Sequence, residues 1–438
     1  MQVTFLGHAG FCVETEAAVV LMDPWLSPTG AFDGGWFQLP RNEHLTPLVQ
    51  QKMAQPGRRK YVYISHEHKD HFDLPFLESL EARDFTLLVG RFQRRELENS
   101  LSSYACVGLL ACEDGERIPI PGGYIKLFLD DSGLNRDSGI LVKAGDGSFL
   151  NLNDCKIYDR LQSVIDNDGP IDAFTCQFSG ATWHPTCYEY PRPSYERIAR
   201  RKMFSKFESV AQAIRILRPR TYLPSAGPAC FLDPDLIHLN FEAVNIFPRA
   251  RTFINYLDRR LSDLATSWPD VSPGDVLDVV SGDVAWQATE RVDDVNFASY
   301  IATYAADRHN YLHQLKHGGE AGRSPCEVLE LLQLELQRKL EHFPLAVRLN
   351  VPLYVGLTEL RDVLLEVNFK ENVVKFIAPP EQRDFYRVLI PGWEASRVAS
   401  GRITWEDLSL TFRARLKREP DVYQTMLQAF LILEPDDL

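Results

Sequence analysis

The sequence predicts a large α/β protein, and three observations lead to this fold class. Short apolar or alternating segments early in the chain indicate β-strands at 2–6, 10–14, 17–22 and 60–65. A long segment with helical spacing, 196–219, comes later and ends at a proline. The 438 residues are 45% hydrophobic, which is more apolar material than one small core needs. We therefore expect a packed globular protein that combines strands and helices.

The predicted strands continue along the chain, with one unusual loop among them. Further strands are expected at 84–90, 104–110, 117–120, 124–129, 139–144 and 148–153 and, after the long helix, at 221–226. Residues 23–40, between the third and fourth strands, are rich in proline, glycine and aromatic residues. This segment is too irregular for a regular element and too long for a passive connection, so a functional loop is expected there.

The pattern changes near residue 250, which predicts a second domain. Helices are expected at 251–268, 296–316, 325–344 and 419–433, with extended segments at 345–357 and 362–369. We therefore divide the chain into a domain of residues 1–250 and a C-terminal helical and mixed α+β domain of residues 251–438. A basic patch in the second domain is interpreted as the solvated start of a helix, with a phosphate-binding or coenzyme A-binding patch as the alternative. Its residues are Arg413, Arg415, Lys417 and Arg418.

Composition excludes several classes of function. Lysine and arginine total 47, aspartate and glutamate total 60, and the formal net charge is −13, which argues against a nucleic-acid partner. The basic runs at 94–98 and 197–202 are interpreted as solvated helix faces. The eight cysteines are scattered, no apolar run is long enough to span a membrane, and the chain begins directly as a strand. We expect a cytoplasmic protein with no disulfide framework and no membrane association.

Three histidines and an aspartate follow the fourth predicted strand within six residues. They are His66, His68, Asp70 and His71, in the pattern H-x-H-x-D-H. Alternation at a strand end places His66 and His68 on one side, and the turn that follows lets Asp70 and His71 face a second position. Imidazole and carboxylate groups are ligands for divalent and trivalent metals, so the spacing predicts a metal site.

This motif, placed directly after an apolar strand, resembles the metallo-β-lactamase superfamily. The resemblance implies an αβ/βα sandwich with two metals bound at the strand ends. It also implies an aspartate that bridges the two metals after a later strand, and Asp154 in FLNLNDCKIYD (149–159) occupies the expected position. The superfamily places two further histidines in the catalytic domain, and this sequence departs from that pattern.

The two positions of the missing histidines hold other residue types. The strand and turn 125–133 offer Asp130 and Asp131 in place of the first histidine, and the last position resembles 223–231, which has no imidazole. His184 is a candidate to replace a lost ligand, the alternative being a hydrogen-bonded histidine in a Trp-His-Pro turn. The small residues Ser225, Ala226 and Gly227 are expected to leave room for dioxygen and substrate.

A narrower resemblance rests on short motifs along the chain. They are GHAGFCVE (7–14), DPWL (23–26), GGW (34–36), DSG (137–139), NLNDC (151–155), FSGATW (178–183), PSAGPACFL (224–232) and PDVY (420–423). Together they resemble the family of CMP-N-acetylneuraminate hydroxylase and the metallo-β-lactamase-fold non-haem diiron monooxygenases, among them a diterpenoid hydroxylase of platensimycin-type biosynthesis. The sialic-acid enzyme carries a Rieske module with Cys-x-His pairs, and this sequence contains no Cys-x-His pair.

The resemblance implies a monooxygenase that uses two iron ions and O2 as co-substrate. The expected reaction is hydroxylation of a C–H bond in a small hydrophobic substrate, such as a terpenoid or acyl thioester in natural-product biosynthesis. Electrons are expected from an external ferredoxin or reductase. The metal ligands would be His66, His68, Asp70, His71 and Asp154, completed by Asp131 and His184, and Asp154 and His184 are the predicted catalytic residues.

Two other functions stay open at this point. A zinc or manganese hydrolase of an ester, lactone or phosphoester needs the same fold with an open metal position. A binding protein on a metallohydrolase fold that has lost its metals is the third, and the intact motif at 66–71 argues against it.

Residues around the motif have expected supporting roles. His8 and Asp23 are predicted to support the ligands from behind, with capping roles as the alternative. Four aromatic side chains are interpreted either as an apolar wall for the substrate or as ordinary core: Trp25, Trp36, Phe37 and Trp183. The C-terminal domain is expected to shape the pocket or to hold a homodimer together.

Overall fold

The computed structural model describes residues 1–132, 136–145, 147–180, 182–318, 323–379 and 384–432. The strands in these residues are β1 (Gln2–Gly7), β2 (Gly10–Glu14), β3 (Ala18–Met22), β4 (Arg59–Tyr63), β5 (Thr86–Gly90), β6 (Gly108–Cys112), β7 (Arg117–Ile120), β8 (Gly123–Asp130), β9 (Asp137–Ala144), β10 (Gly147–Asn151), β11 (Ala173–Gln177), β12 (Thr221–Ser225), β13 (Val276–Asp278), β14 (Val284–Ala285), β15 (Leu353–Leu357), β16 (Leu364–Asn368), β17 (Val373–Ile377), β18 (Phe385–Ile390) and β19 (Arg415–Glu419). The α-helices are α1 (Thr46–Ala54), α2 (Leu74–Ser79), α3 (Glu96–Leu101), α4 (Leu161–Asp168), α5 (Arg192–Leu217), α6 (Ala250–Arg260), α7 (Phe297–His317), α8 (Pro325–His342), α9 (Gly392–Ala399), α10 (Trp405–Leu410) and α11 (Thr425–Ile432).

The first sheet has the strand order β14-β13-β1-β2-β3-β4-β5-β6. Its strands are antiparallel as far as β3, and β3, β4, β5 and β6 then run parallel. All five residues of β3 are buried, as expected of a parallel strand that is covered on both faces. Parallel pairing brings the carboxyl ends of β3 and β4 to the same edge, so the loops that follow them meet there.

The second sheet packs face to face against the first. Its strand order is β12-β11-β10-β9-β8-β7. Inner-face side chains of both sheets form one hydrophobic core, with Val20 and Tyr63 from the first sheet and Val142 and Phe149 from the second.

Helices cover the outer faces of both sheets. Apolar residues of α1, α2 and α3 pack on the first sheet, and α5 packs on the second through residues such as Phe207 and Ile214. The predicted αβ/βα sandwich is therefore confirmed.

The C-terminal part of the chain builds a third sheet but also returns to the first. The hairpin β13–β14 extends the first sheet by pairing with β1. Farther on, the sheet β17-β16-β15-β18-β19 packs against α8 through Leu329, Leu332 and Leu336. A domain boundary near residue 250 stays a prediction, and the hairpin beyond it is part of the amino-terminal sheet. No helix in the described residues is long and apolar enough to cross a lipid bilayer.

Several predicted elements differ from those observed, among them the extended segment 345–357, which contains the 3₁₀ turn Ala346–Arg348 before β15. The basic patch at 413–418 lies on and before strand β19, because its alternating pattern buries Leu416 against the third sheet. The helix predicted at 251–268 ends at Arg260, since Ser267 instead pairs with the edge of β12. The last helix begins at Thr425 rather than at 419, and its predicted end at 433 falls outside the described residues.

Candidate metal centre

The H-x-H-x-D-H segment forms a tight turn directly after β4. The backbone N–H groups of His71 and Phe72 both donate to the carbonyl of His68, at 3.0 and 2.7 Å. Asp73 then accepts from the N–H of Phe76 and caps α2. These hydrogen bonds fix the conformation of the turn. Its side chains lie at the edge where the two sheets meet.

Two groups of potential metal ligands share one histidine. His8, Asp70 and His71 form the first, and His66, His71 and Asp154 form the second, with the ligand atoms of each group within 4.8 Å of one another. His71 Nε2 lies 3.6 Å from Asp70 Oδ2 and 3.8 Å from Asp154 Oδ1. The structure therefore brings together four of the residues predicted as ligands, and adds His8.

Two of these ligand atoms are buried without a hydrogen-bond partner among the described residues. They are His71 Nε2 and Asp154 Oδ1. An unsatisfied buried polar atom costs about 1–3 kcal/mol, and a cation bound between the two would satisfy both. The donor set of imidazoles and carboxylates therefore fits a divalent transition metal.

Asp23 fixes the orientation of His71. Its carboxylate is fully buried and accepts hydrogen bonds from His71 Nδ1 at 2.8 Å, Ser65 Oγ at 2.7 Å and Asn153 Nδ2 at 2.9 Å. A histidine that donates Nδ1–H to a carboxylate presents Nε2 to a metal, so Asp23 occupies a supporting position behind the ligand.

The charges of the buried groups reinforce one another. Burial alone would lower the pKa of His71, but the carboxylates of Asp70 and Asp23 raise it to about 9. Burial would raise the pKa of Asp154, and the neighbouring His71 and His66 lower it below its ordinary value. Burial also opposes ionisation of Asp70, and His71 and His8 lower its pKa. Asp70 and Asp154 are therefore ionised at neutral pH and available to a cation.

His8 lies closer to the cluster than the sequence indicated. It was expected behind the ligands, yet its Nε2 lies 2.9 Å from Asp70 Oδ2. The turn between β1 and β2 gives His8 a left-handed backbone with φ of 46°, which directs the side chain into the cluster. This is a position from which His8 can itself bind a metal.

His68 lies at the opening of the site and contacts the C-terminal region. Its Nδ1 is 2.9 Å from His66 Nε2, and its Nε2 is 3.4 Å from Glu406 Oε1 on α10. Burial alone would lower the pKa of His68, but Glu406 raises it to about 10. Asp137 Oδ1, at the start of β9, lies 3.7 Å from His66 Nδ1. Asp137 and Glu406 are acids that the sequence analysis did not select, although Asp137 lies in the DSG motif.

Asp131 and His184 are not brought to the cluster. Asp131 is exposed at the end of β8 and accepts from the N–H of Gln93 at 3.0 Å. His184 Nε2 lies 3.1 Å from the hydroxyl of Tyr190, and its ring packs against Tyr188. One polar atom of each residue has a partner elsewhere, and neither residue belongs to the two groups of potential ligands.

A cavity of about 440 Å³ opens onto the cluster from one side. Its walls include His66, His68, Asp137 and Asp154, and the opposite wall comes largely from α5. Three lysines line it: Lys156, Lys202 and Lys206. The second and third lie four residues apart and therefore share one face of the helix.

None of these three ammonium groups forms an ion pair within the part of the chain that the structure describes. Lys202 donates to the carbonyl of His184 at 2.8 Å, and Lys206 donates to Gln177 Oε1. Burial, with the nearby Arg418, lowers the pKa of Lys202 to about 8. The run 197–202 was interpreted as a solvated helix face, and this is wrong for Lys202, which faces the cavity.

The four aromatic side chains are ordinary core, the second of the two interpretations that the sequence left open. Trp25, Trp36 and Trp183 are at most 7% exposed and pack in one hydrophobic cluster with the third sheet, and Phe37 packs in another. Among the described residues, none of the four lines the cavity beside the cluster. The loop 23–40 therefore contributes Asp23, which holds His71, and does not form a wall of the cavity.

The small residues after β12 pack closely on one side, where Gly227 meets Ser179, and on another side Gly227 and His8 line a cavity of about 170 Å³. A Cβ on Gly227, whose φ is 147°, would lie only 2.2 Å from Ser179 Cβ, and the neighbouring Ala226 N–H donates to the carbonyl of His8. Gly227→Ala is expected to destabilise the fold by about 1–3 kcal/mol, because backbone must shift to relieve the clash. Urea unfolding measures this, with Gly108→Ala as the control, because a Cβ there meets no atom within 4 Å and the backbone is not left-handed; equal stability of the two variants would contradict the packing argument.

Comparison with known proteins agrees with the architecture. Residues 2–113 match the family model described as a β-lactamase superfamily domain. The chain has a metallo-β-lactamase fold. The matched residues include the whole H-x-H-x-D-H segment and His8, whereas Asp154 and Glu406 lie beyond them.

The relatives of this metallo-β-lactamase-fold chain include iron proteins and hydroxylases. A Mycobacterium tuberculosis protein named as a Rieske 2Fe-2S iron–sulfur protein is 32% identical over 70% of this chain and 60% of its own length. The cytidine monophosphate-N-acetylneuraminic acid hydroxylase of Xenopus laevis is 24% identical over 97% of this chain and 70% of its own. Among solved structures, the diiron β-hydroxylase CmlA of Streptomyces venezuelae matches with a TM-score of 0.41 and 18% identity, over 62% of this chain and 53% of CmlA. The chain thus spans less than two thirds of the length of its mycobacterial relatives.

Proposed function

We propose that this protein is a metal-dependent hydroxylase, a monooxygenase that binds two iron ions and uses O2 and external electrons. The observation that carries the proposal is a pair of buried atoms, His71 Nε2 and Asp154 Oδ1, that have no hydrogen-bond partner among the described residues. They belong to a cluster that opens onto a cavity. Bound in this cluster, iron would supply the redox chemistry that O2 activation requires. Similarity to hydroxylases along nearly the whole chain supports the same reaction class.

The donor set supports iron over zinc. The first group contributes His8, Asp70 and His71, and the second adds His66 and Asp154, while further carboxylates lie close by. Each group holds two imidazoles and one carboxylate, which is the donor set of many non-haem iron(II) oxygenases. A zinc or manganese hydrolase remains the second candidate, because the same fold serves both chemistries.

The surrounding residues hold and enclose the cluster. Asp23 keeps His71 in the tautomer that presents Nε2, and Gln177 donates to Asp154 Oδ2 at 2.6 Å, which leaves the other carboxylate oxygen for a metal. Glu406, from the C-terminal region, closes the opening by contacting His68. We propose on this ground that residues 251–438 shape the entrance to the cavity.

We propose an anionic substrate in place of the hydrophobic one expected from the sequence. Lys202 and Lys206 project from α5 into the cavity without carboxylate partners among the described residues, and burial lowers the pKa of both. An anion bound between the two ammonium groups would replace the favourable interactions with water that they lose on burial. The named activity of the vertebrate relatives, on a nucleotide-linked acidic sugar, is consistent with such a substrate.

Electron supply by an iron–sulfur donor is supported by the relatives. The mycobacterial proteins are named for a Rieske cluster, which is an electron carrier. We propose a ferredoxin or iron–sulfur partner that docks near the cluster.

The decisive experiment is metal analysis of protein from iron-supplemented, zinc-limited culture. Two irons per chain, with an optical spectrum that changes when the reduced protein meets O2, is the expected result. Firmly bound zinc, no response to O2 and turnover of a chromogenic ester would instead establish the hydrolase.

The anion site can be tested before the substrate is known. Cytidine monophosphate serves as the probe in calorimetric titrations of the metal-loaded protein. Lys202→Gln and Lys206→Gln are each expected to weaken its binding by about tenfold or more, because a hydrogen bond to a charged group contributes about 1.5–3 kcal/mol. Lys417→Gln is the control: this lysine is half-exposed and does not line the cavity, so the variant should bind normally. Equal affinity of all variants would contradict the assignment of these lysines.

A further inference from the structure

A row of three histidines lies on the surface of α7, away from the cluster. His309, His313 and His317 are spaced four residues apart, are all exposed, and therefore lie along one face of the helix. The ring centroids of His309 and His313 are 6.2 Å apart, and those of His313 and His317 are 4.6 Å apart. The rings already lie next to one another in a continuous row.

This spacing suits chelation of a metal by two neighbouring rings. Two imidazole nitrogens bound to one tetrahedral metal lie about 3.3 Å apart, which two residues one helical turn apart can reach. The same i, i+4 histidine spacing holds zinc in helical H-E-x-x-H sites. His309 and His317 are about 12 Å apart along the helix axis, so they cannot share an ion. His313 therefore belongs to both possible pairs.

The surroundings favour a cation at the second pair. His313 and His317 lie in the last two turns of α7, where the helix dipole is negative. Among the described residues, Lys316 is the one lysine that lines the same cavity, and it forms ion pairs with Asp233 at 2.6 Å and Asp235 at 2.7 Å, so its charge is offset. The three rings border an apolar cavity of about 690 Å³, into which the remaining coordination positions of a metal would open.

We propose that His313, with His317, forms a transition-metal site separate from the buried cluster. The site takes Cu²⁺, Ni²⁺ or Zn²⁺ through two imidazoles and leaves its other positions to water or to a small ligand in the cavity. Copper binds most tightly of the three, as divalent ions do at nitrogen sites. His309 offers an alternative pair with His313 when His317 is lost, and the wider ring separation makes that pair the weaker one.

The test uses the full chain without an affinity tag and with its buried cluster loaded. Titration with CuCl₂, followed by electron paramagnetic resonance, is expected to give one nitrogen-coordinated Cu²⁺ per chain. His313→Ala is expected to weaken binding by about 30-fold or more, His317→Ala by about tenfold and His309→Ala by less than about threefold. The order follows because the first variant loses both pairs, the second the closer pair and the third the wider pair. The exposed His44→Ala is the matched control and should bind as the unmodified chain does.

A second variant separates this site from the cluster. Asp154→Asn should leave the copper signal intact, because Asp154 belongs only to the buried group. Loss of the signal in Asp154→Asn, its survival in His313→Ala, or equal effects of the three α7 substitutions would overturn the proposal. None of these outcomes depends on whether the protein is a hydroxylase.

Discussion

Replacing Asp154 by asparagine is expected to remove metal from the cluster while the fold remains. Asp154 Oδ1 is buried beside His71 Nε2 with no partner among the described residues, and its other oxygen is held by Gln177. The substitution keeps the shape of the side chain but removes the negative charge that a metal ion needs in this buried position. We expect at least one of two metals to be lost, and with it the response to O2.

Elemental analysis and circular dichroism together test this expectation. Asp131→Asn is the matched control, because Asp131 is an exposed carboxylate outside the cluster, bound to the N–H of Gln93. It should keep the full metal content. Full metal content in Asp154→Asn, or equal loss in both variants, would show that the ligand assignment is wrong. Loss of the circular dichroism signal would mean that Asp154 is needed for folding, and His66→Gln then tests the same cluster through a neutral residue.

Replacing Arg413 by leucine is expected to cause the largest loss of stability. Its guanidinium is 2% exposed and lies 2.6 Å from Asp233 and 2.8 Å from Glu394, both fully buried. A third bond, to the carbonyl of Asp33, ties it to the loop after β3. Removing the cation leaves two buried carboxylates without their shared partner, although Lys316 still pairs with Asp233. Breaking a buried pair in this way costs about 3–5 kcal/mol.

Urea denaturation at neutral pH measures the effect on the transition that includes the C-terminal region. Lys417→Leu is the control: its ammonium pairs with Glu419 in solvent, with side-chain exposures of 38% and 48%, and such pairs contribute about 0–1 kcal/mol. Arg413→Leu should unfold at clearly lower urea concentration than Lys417→Leu. Similar midpoints would mean that the attraction within the buried network only offsets the cost of desolvating its charges, with little net contribution to the free energy of unfolding.

Local patterns were enough to predict the fold class and most of the amino-terminal site. Alternating and apolar runs identified the strands of the sandwich, and the dense motif at 66–71 marked the end of β4 as a metal site. Asp154 was identified through the resemblance to the metallo-β-lactamase superfamily, which implies an aspartate after a later strand. These features depend on short stretches of chain, where hydrophobic periodicity and ligand chemistry are visible directly.

Only the tertiary structure decided how the site is completed and what lines it. Asp131 and His184 matched a ligand in residue type, but each binds a nearby partner, whereas Glu406 reaches His68 across 338 positions of sequence. Lys202 and Arg413 carry charges that a pattern places on the surface, yet both are turned inward, one to a cavity and one to buried carboxylates. The sequence by itself therefore determined the fold and the nucleus of the metal centre, because both are local patterns. Side-chain partners distant in sequence were decided by packing, because burial and long-range contact leave no local signal.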